Sequence, residues 1–168
     1  MILEYAAVTI GLIISFLLKD INFLALNFIY PDFLMIFIIF MALRRGELSG
    51  IWLGFIGGLL EDSAVLVFSR QGGDYVHVIG VHMFFYTLVG YSLGKFNKLI
   101  DATRLFPIMG VVFVYTLVVR FCIWLVTGLI SDFNSNYLFI GSAIYTALIT
   151  PIWLWLLGWL YRPMDEEK

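Results

Sequence analysis

Long apolar runs separated by short polar interruptions set the rhythm of the chain. Six stretches qualify as spans, about 3–18, 23–43, 48–67, 76–94, 105–130 and 137–160. A helix needs roughly 20 mostly apolar residues to cross a hydrocarbon core. The interruptions are Lys19-Asp20, Arg44-Arg45-Gly46-Glu47, "SRQGGDY" at 69–75, "KFNKLIDATR" at 95–104 and "SDFNSN" at 131–136. None is large enough for a soluble domain, so the pattern predicts one all-α transmembrane bundle over residues 1–168. Pro31 interrupts the second stretch. A helix opening at Pro31 would run only ~20 Å to Leu43, too short alone. The expectation is therefore a helix that starts earlier and kinks at Pro31, with five spans plus a short re-entrant piece as the alternative. Thr150-Pro151 predicts a kink in the last helix. The opening "MILEYAAVTIGLIISFLL" has no basic residue before its apolar core and carries Glu4, so it reads as a retained first helix rather than a signal peptide.

Basic residues orient the bundle. Arg44, Arg45, Lys95, Lys98, Arg104, Arg162 and Lys168 fall on one side of six spans, and Lys19 and Arg70 on the other. The excess of Lys and Arg marks the cytoplasmic side, which places both termini there. Composition strengthens the membrane reading: 62% of the 168 residues are hydrophobic and 13% charged, with mean hydropathy +0.98. A soluble fold of this size has too little interior for that apolar surface. The net charge of -2 and the lack of a basic tract argue against a nucleic-acid partner. The single cysteine, Cys122, excludes an internal disulfide and a cysteine-based zinc site.

Four polar residues inside the spans stand out by depth. Counted from the cytoplasmic helix ends at 1.5 Å per residue, Asp32 lies ~17 Å up, His82 ~18 Å, Asp62 ~21 Å and Arg120 ~23 Å. Charges in hydrocarbon cost several kcal/mol unless paired or hydrated, so the four are expected to face inward and meet in one layer. The plain reading is a structural lock in which Arg120 bridges Asp32 and Asp62. The sharper readings are a ligand site or a proton or ion path. Glu61 points about 100° away from Asp62 on a helix and is expected at the outer interface. Asp with His alone is a poor metal signature, so no metal or cofactor is expected.

Glycine recurs at Gly46, Gly50, Gly54 and Gly58, with Gly57 beside them and Gly90 and Gly94 repeating the spacing later. Such a ridge lets another backbone approach closely. The approaching helix belongs either to the same bundle or to a partner. No Ser-His-Asp arrangement, P-loop or Gly-rich nucleotide turn is present, so no enzymatic activity is expected.

Residues 31 to 98 carry a more specific signal. "PDFLMIFIIFMALRRGELSGIWLGFIGGLLED", followed by "GVHMFFYTLVGYSLGKF", resembles the rod shape-determining protein MreD family. That pattern maps onto Pro31-Asp32, Arg44-Arg45-Gly46, Gly54 through Asp62, Gly80-Val81-His82, and Val89-Gly90-Tyr91 through Gly94-Lys95. The outer loop "VLVFSRQGGDYVHVIG" departs from it in being longer and bulkier. The resemblance implies a multi-pass protein of the bacterial cytoplasmic membrane and a non-enzymatic scaffold of the cell-elongation machinery. It implies an MreC-like bitopic partner, with RodA, a class B penicillin-binding transpeptidase and, indirectly, MreB in the same assembly. The implied role is support of lateral peptidoglycan synthesis and rod shape. The family's bundle is similar to the substrate-binding subunits of energy-coupling-factor transporters. A solute-binding subunit of a vitamin-type transporter is accordingly the alternative function.

Overall fold

The structure, a computed structural model, describes residues 2–19, 21, 29–64, 67–68, 75–76, 78–100, 105–130 and 139–161. The described residues form six helices: α1 (Ile2–Leu18), α2 (Phe33–Arg45), α3 (Glu47–Ala64), α4 (Val81–Lys95), α5 (Leu105–Ile130) and α6 (Phe139–Tyr161). Two of them, α5 and α6, are long and apolar enough to cross a membrane. Their outward faces carry large apolar side chains such as Phe106, Leu129, Leu148 and Trp155, as lipid contact requires.

Two places depart from the expected layout. The third helix stops at Ala64 and the fourth begins at Val81, while β1 (Val67–Phe68) and β2 (Tyr75–Val76) pair antiparallel between them. Val67 stands opposite Val76 and Phe68 opposite Tyr75. The physical reason is composition: β-branched and aromatic residues flank the polar, Gly-containing sequence at 69–74, which favours strand pairing over helix continuation. Arg70 and Asp74, which separate the two strands in the sequence, lie outside the described residues, as does His77.

The second departure is α2, which begins at Phe33 after non-helical residues 29–32, while residues 22–28 of the expected span lie outside the described residues. Pro31 precedes the helix instead of kinking it, and Asp32 takes the cap. Its Oδ1 accepts from the Met35 N–H at 2.9 Å, satisfying one of the orphan donors of the first turn. At the other end Gly46, at φ 86°, closes the helix with an N–H bond to the Ala42 carbonyl, and α3 starts at the next residue.

A helix this short survives because it is the pillar of the bundle. α2 packs against each of the other five helices, and the side chains from Leu34 to Ile39 have no solvent exposure. A helix apolar on every side belongs in an interior. The irregular backbone before it is tolerated because α6 satisfies it. Ser142 Oγ donates to the Tyr30 carbonyl at 2.8 Å, and the Asp32 N–H donates to Thr146 Oγ1 at 3.0 Å. Thr146 and Thr150 in turn donate back to the carbonyls of Ser142 and Thr146, each at 2.7 Å. This buried column of hydroxyls fixes α6 to the entrance of α2. Pro151 follows directly, inside α6.

Candidate functional site

The glycine ridge of α3 turns inward onto α4. A methyl group at Gly50 would collide with the carbonyl of Gly90, one at Gly54 with the carbonyl of Tyr86, and one at Gly58 with the backbone of Met83. From the other side, additions at Gly90 and Gly94 would strike the backbones of Gly50 and Glu47. Gly57 faces elsewhere, toward Ile38 and Leu34 of α2 and Leu12 of α1. The ridge is thus a seam within the chain, with α4 already occupying the groove that it creates. Gly46 plays a different part, as the positive-φ residue between α2 and α3.

Asp62 closes the far end of that seam. It is 1% exposed, and its two oxygens accept four hydrogen bonds. Oδ1 accepts from the His82 N–H at 2.9 Å and faces His82 Nδ1 at 2.8 Å; Oδ2 accepts from the N–H groups of Gly80 at 2.7 Å and Met83 at 3.1 Å. A carboxylate offers about four acceptor positions, so this one is saturated. Gly80, at φ 113°, has no capping side chain of its own, and α3 supplies the missing acceptor to the first turn of α4. The expected bridge from Arg120 to Asp62 is therefore replaced by a cross-helix cap. Helix-end geometry, not charge pairing, determines what Asp62 meets.

Asp32 does meet Arg120, with Oδ2 lying 3.8 Å from Nη2. The same Oδ2 accepts from Tyr86 Oη at 3.1 Å. Tyr86 lies edge-on to His82, their ring centroids 5.9 Å apart, and so connects the two aspartate sites. The single expected layer is in fact two adjoining sites, Asp62 with His82 and Asp32 with Arg120. Glu61 joins the second of these sites. Only 14% of its side chain is exposed, and it forms a 2.7 Å ion pair with Lys19 at the end of α1. Lys19, Tyr30, Pro31, Asp32, Glu61 and Arg120 surround a polar cavity of about 210 Å³. Sequence reasoning missed Glu61 and Lys19 as site residues. The available signal was that both sit at the outer ends of their spans.

The remaining motif positions line the opposite end. Arg44 and Arg45 occupy the last turn of α2, where cations complement the helix dipole, and Arg44 lies 5.4 Å from the Phe40 ring centroid. Tyr91 is exposed and accepts from Lys95 Nζ at 3.3 Å. Arg45 borders an apolar groove of about 510 Å³ between α1 and α3, together with Tyr5, Leu48, Ser49 and Trp52.

Comparison with known proteins agrees with the motif. The model of the family described as rod shape-determining protein MreD matches residues 1–162. No curated protein and no solved structure matches the chain.

Proposed function

The chain belongs to the MreD family, whose role is rod shape determination, and on that premise we propose that it is a non-enzymatic scaffold of the bacterial cell-elongation machinery. In this reading it spans the cytoplasmic membrane with both termini inside, binds an MreC-like bitopic partner and so supports lateral peptidoglycan synthesis. RodA, a class B penicillin-binding transpeptidase and MreB act in the same assembly. The observation that carries the reading is the family match across nearly the whole chain.

The geometry supports a particular face for the partner. Because the glycine ridge is filled by α4, a partner helix docks on the opposite side of α3. There Leu48, Trp52, Phe55, Ile56 and Leu59 form an exposed apolar stripe at helical spacing, beside the α1/α3 groove that ends in Arg45. Such i, i+4, i+7 anchors are how one helix receives another. Trp52 is 59% exposed and stacks edge-on with Phe55 at 6.3 Å, the kind of aromatic that dominates interface energy. The test is native mass spectrometry of the tagged chain gently extracted from its host membranes. A stoichiometric bitopic protein is expected, and Trp52→Ala should weaken its capture about tenfold, on the order of 1–2 kcal/mol. Leu148→Ala, on the exposed face of α6, should leave capture intact. Capture unaffected by Trp52→Ala would remove this face from the account.

A second reading, a solute-binding subunit of a vitamin-type transporter, draws on the polar cavity around Asp32 and Arg120. At about 210 Å³ it is smaller than the roughly 300–1,000 Å³ usual for small-molecule sites. That size favours the scaffold.

A further inference from the structure

An apolar cleft opens between α2, α5 and α6 at the end of the bundle that carries Arg44 and Arg45. Its volume is about 470 Å³, within the range of about 300–1,000 Å³ typical of sites that hold a small molecule. Leu43, Ile108, Leu154 and Trp155 line it, and Arg44 supplies the cation among them. Pro151 lines the upper end of the cleft. One residue of α6 leaves space unfilled. Gly158 brings no side chain to the lower end, and a methyl group there would meet nothing within 4 Å. This is the reverse of the α3/α4 seam, where every added methyl group meets backbone.

Depth identifies the occupant. From Pro151 to the helix end at Tyr161, α6 rises ~15 Å, half of a hydrocarbon core about 30 Å thick. The cleft is therefore one leaflet deep. A transmembrane helix of a partner needs a groove through both leaflets, whereas an acyl chain needs only one. Arg44 sits in the last turn of α2, on the side that the distribution of basic residues assigns to the cytoplasm. The cytoplasmic leaflet is the one rich in anionic lipid, and basic pockets between spans on that side suit anionic head groups. Arg44 is held against the Phe40 ring, which orients its guanidinium at the rim.

We propose that this cleft seats an anionic phospholipid of the inner leaflet, its phosphate at Arg44 and one acyl chain along Leu154 and Trp155. The proposal rests on the membrane orientation given above but not on the identity of the protein partner.

The test uses the purified full chain in detergent micelles. Native mass spectra are recorded with phosphatidylglycerol or phosphatidylcholine of the same acyl composition. The wild type is expected to retain one phosphatidylglycerol, and to retain phosphatidylcholine about fivefold less well, the contribution of one basic residue near an anionic head group. Gly158→Leu should abolish retention by filling the cleft while leaving thermal unfolding and partner capture as in the wild type. Arg44→Gln should reduce phosphatidylglycerol to the phosphatidylcholine level. Gly110→Leu, at another helical glycine where a methyl group would meet nothing, should change neither. Equal retention of the two lipids, or phosphatidylglycerol kept by Gly158→Leu, would overturn the proposal. A dimer that Gly158→Leu dissolves would also overturn it, by assigning the cleft to a second copy of the chain. Loss of lipid with partner capture intact, or the reverse, separates this proposal from the scaffold reading.

Discussion

Two glycine-bearing regions of this bundle use the same residue for opposite ends. Along α3 and α4, Gly50, Gly54, Gly58, Gly90 and Gly94 bring two backbones so close that a single methyl group at any of them collides with main chain. Along α5 and α6, a methyl group at Gly110 or Gly158 would touch nothing, and the space beside Gly158 stays open. The first region is a closed seam locked at its end by Asp62; the second is a cleft. A glycine repeat in a membrane helix therefore signals close approach only when the partner backbone is identified. In lipid, where apolar surface has no drive to leave its surroundings, van der Waals contact at such seams is a main source of helix association.

The sharpest way to break this comparison is to force a side chain into the seam. Gly50→Leu must displace the Gly90 carbonyl and the Ala42 side chain, and overpacking against main chain costs about 3 kcal/mol or more. The variant is expected to insert but to lose cooperative unfolding in detergent, measured by circular dichroism. A smaller loss is expected at the lock. Asp62→Ala leaves the N–H groups of Gly80, His82 and Met83 without their acceptor, a cost of about 2–3 kcal/mol. Asp62→Asn keeps one acceptor oxygen and should recover about half of that. Equal destabilisation by the alanine and asparagine variants would mean that charge rather than capping holds the site.

Smaller again is the effect at the second aspartate. Arg120→Leu removes a long, partly exposed ion pair, with 24% and 11% of the two side chains accessible, and should cost about 1–2 kcal/mol. Neutralising its partner with Asp32→Asn should restore part of that loss, because an asparagine there still caps α2 through its side-chain oxygen. A double variant no more stable than Arg120→Leu would show that the pair is not the reason for the loss.

Much of this was legible in the chain, and the limits are physical. Apolar length located α1, α5 and α6 closely, since an unbroken run has no competing signal. At α2 the run "INFLALNFIYPDF" stays apolar across Pro31, so hydropathy alone could not mark the boundary that Pro31 and the Asp32 cap impose. Depth along a helix put Asp32, Asp62, His82 and Arg120 in one layer. It could not divide one layer into two, because azimuth decides which neighbours meet. Glu61 shows the same limit: its direction relative to Asp62 was predictable, but the arrival of Lys19 from α1 was not. The ridge was legible as a site of close approach, and only tertiary structure reveals α4 as the element that fills it.

The most direct test of the central contrast is thermal unfolding of the isolated, partner-free chain carrying Gly50→Ala or Gly158→Ala. Gly50→Ala is predicted to lower Tm by about 4–8 °C, the size expected for about 2 kcal/mol of overpacking in a chain of this length. Gly158→Ala should leave Tm unchanged or raise it slightly, since alanine favours a helix over glycine by about 1 kcal/mol. If Gly50→Ala instead unfolds like the wild type in isolation and fails only to capture a partner, the ridge is a docking groove and the internal seam is refuted.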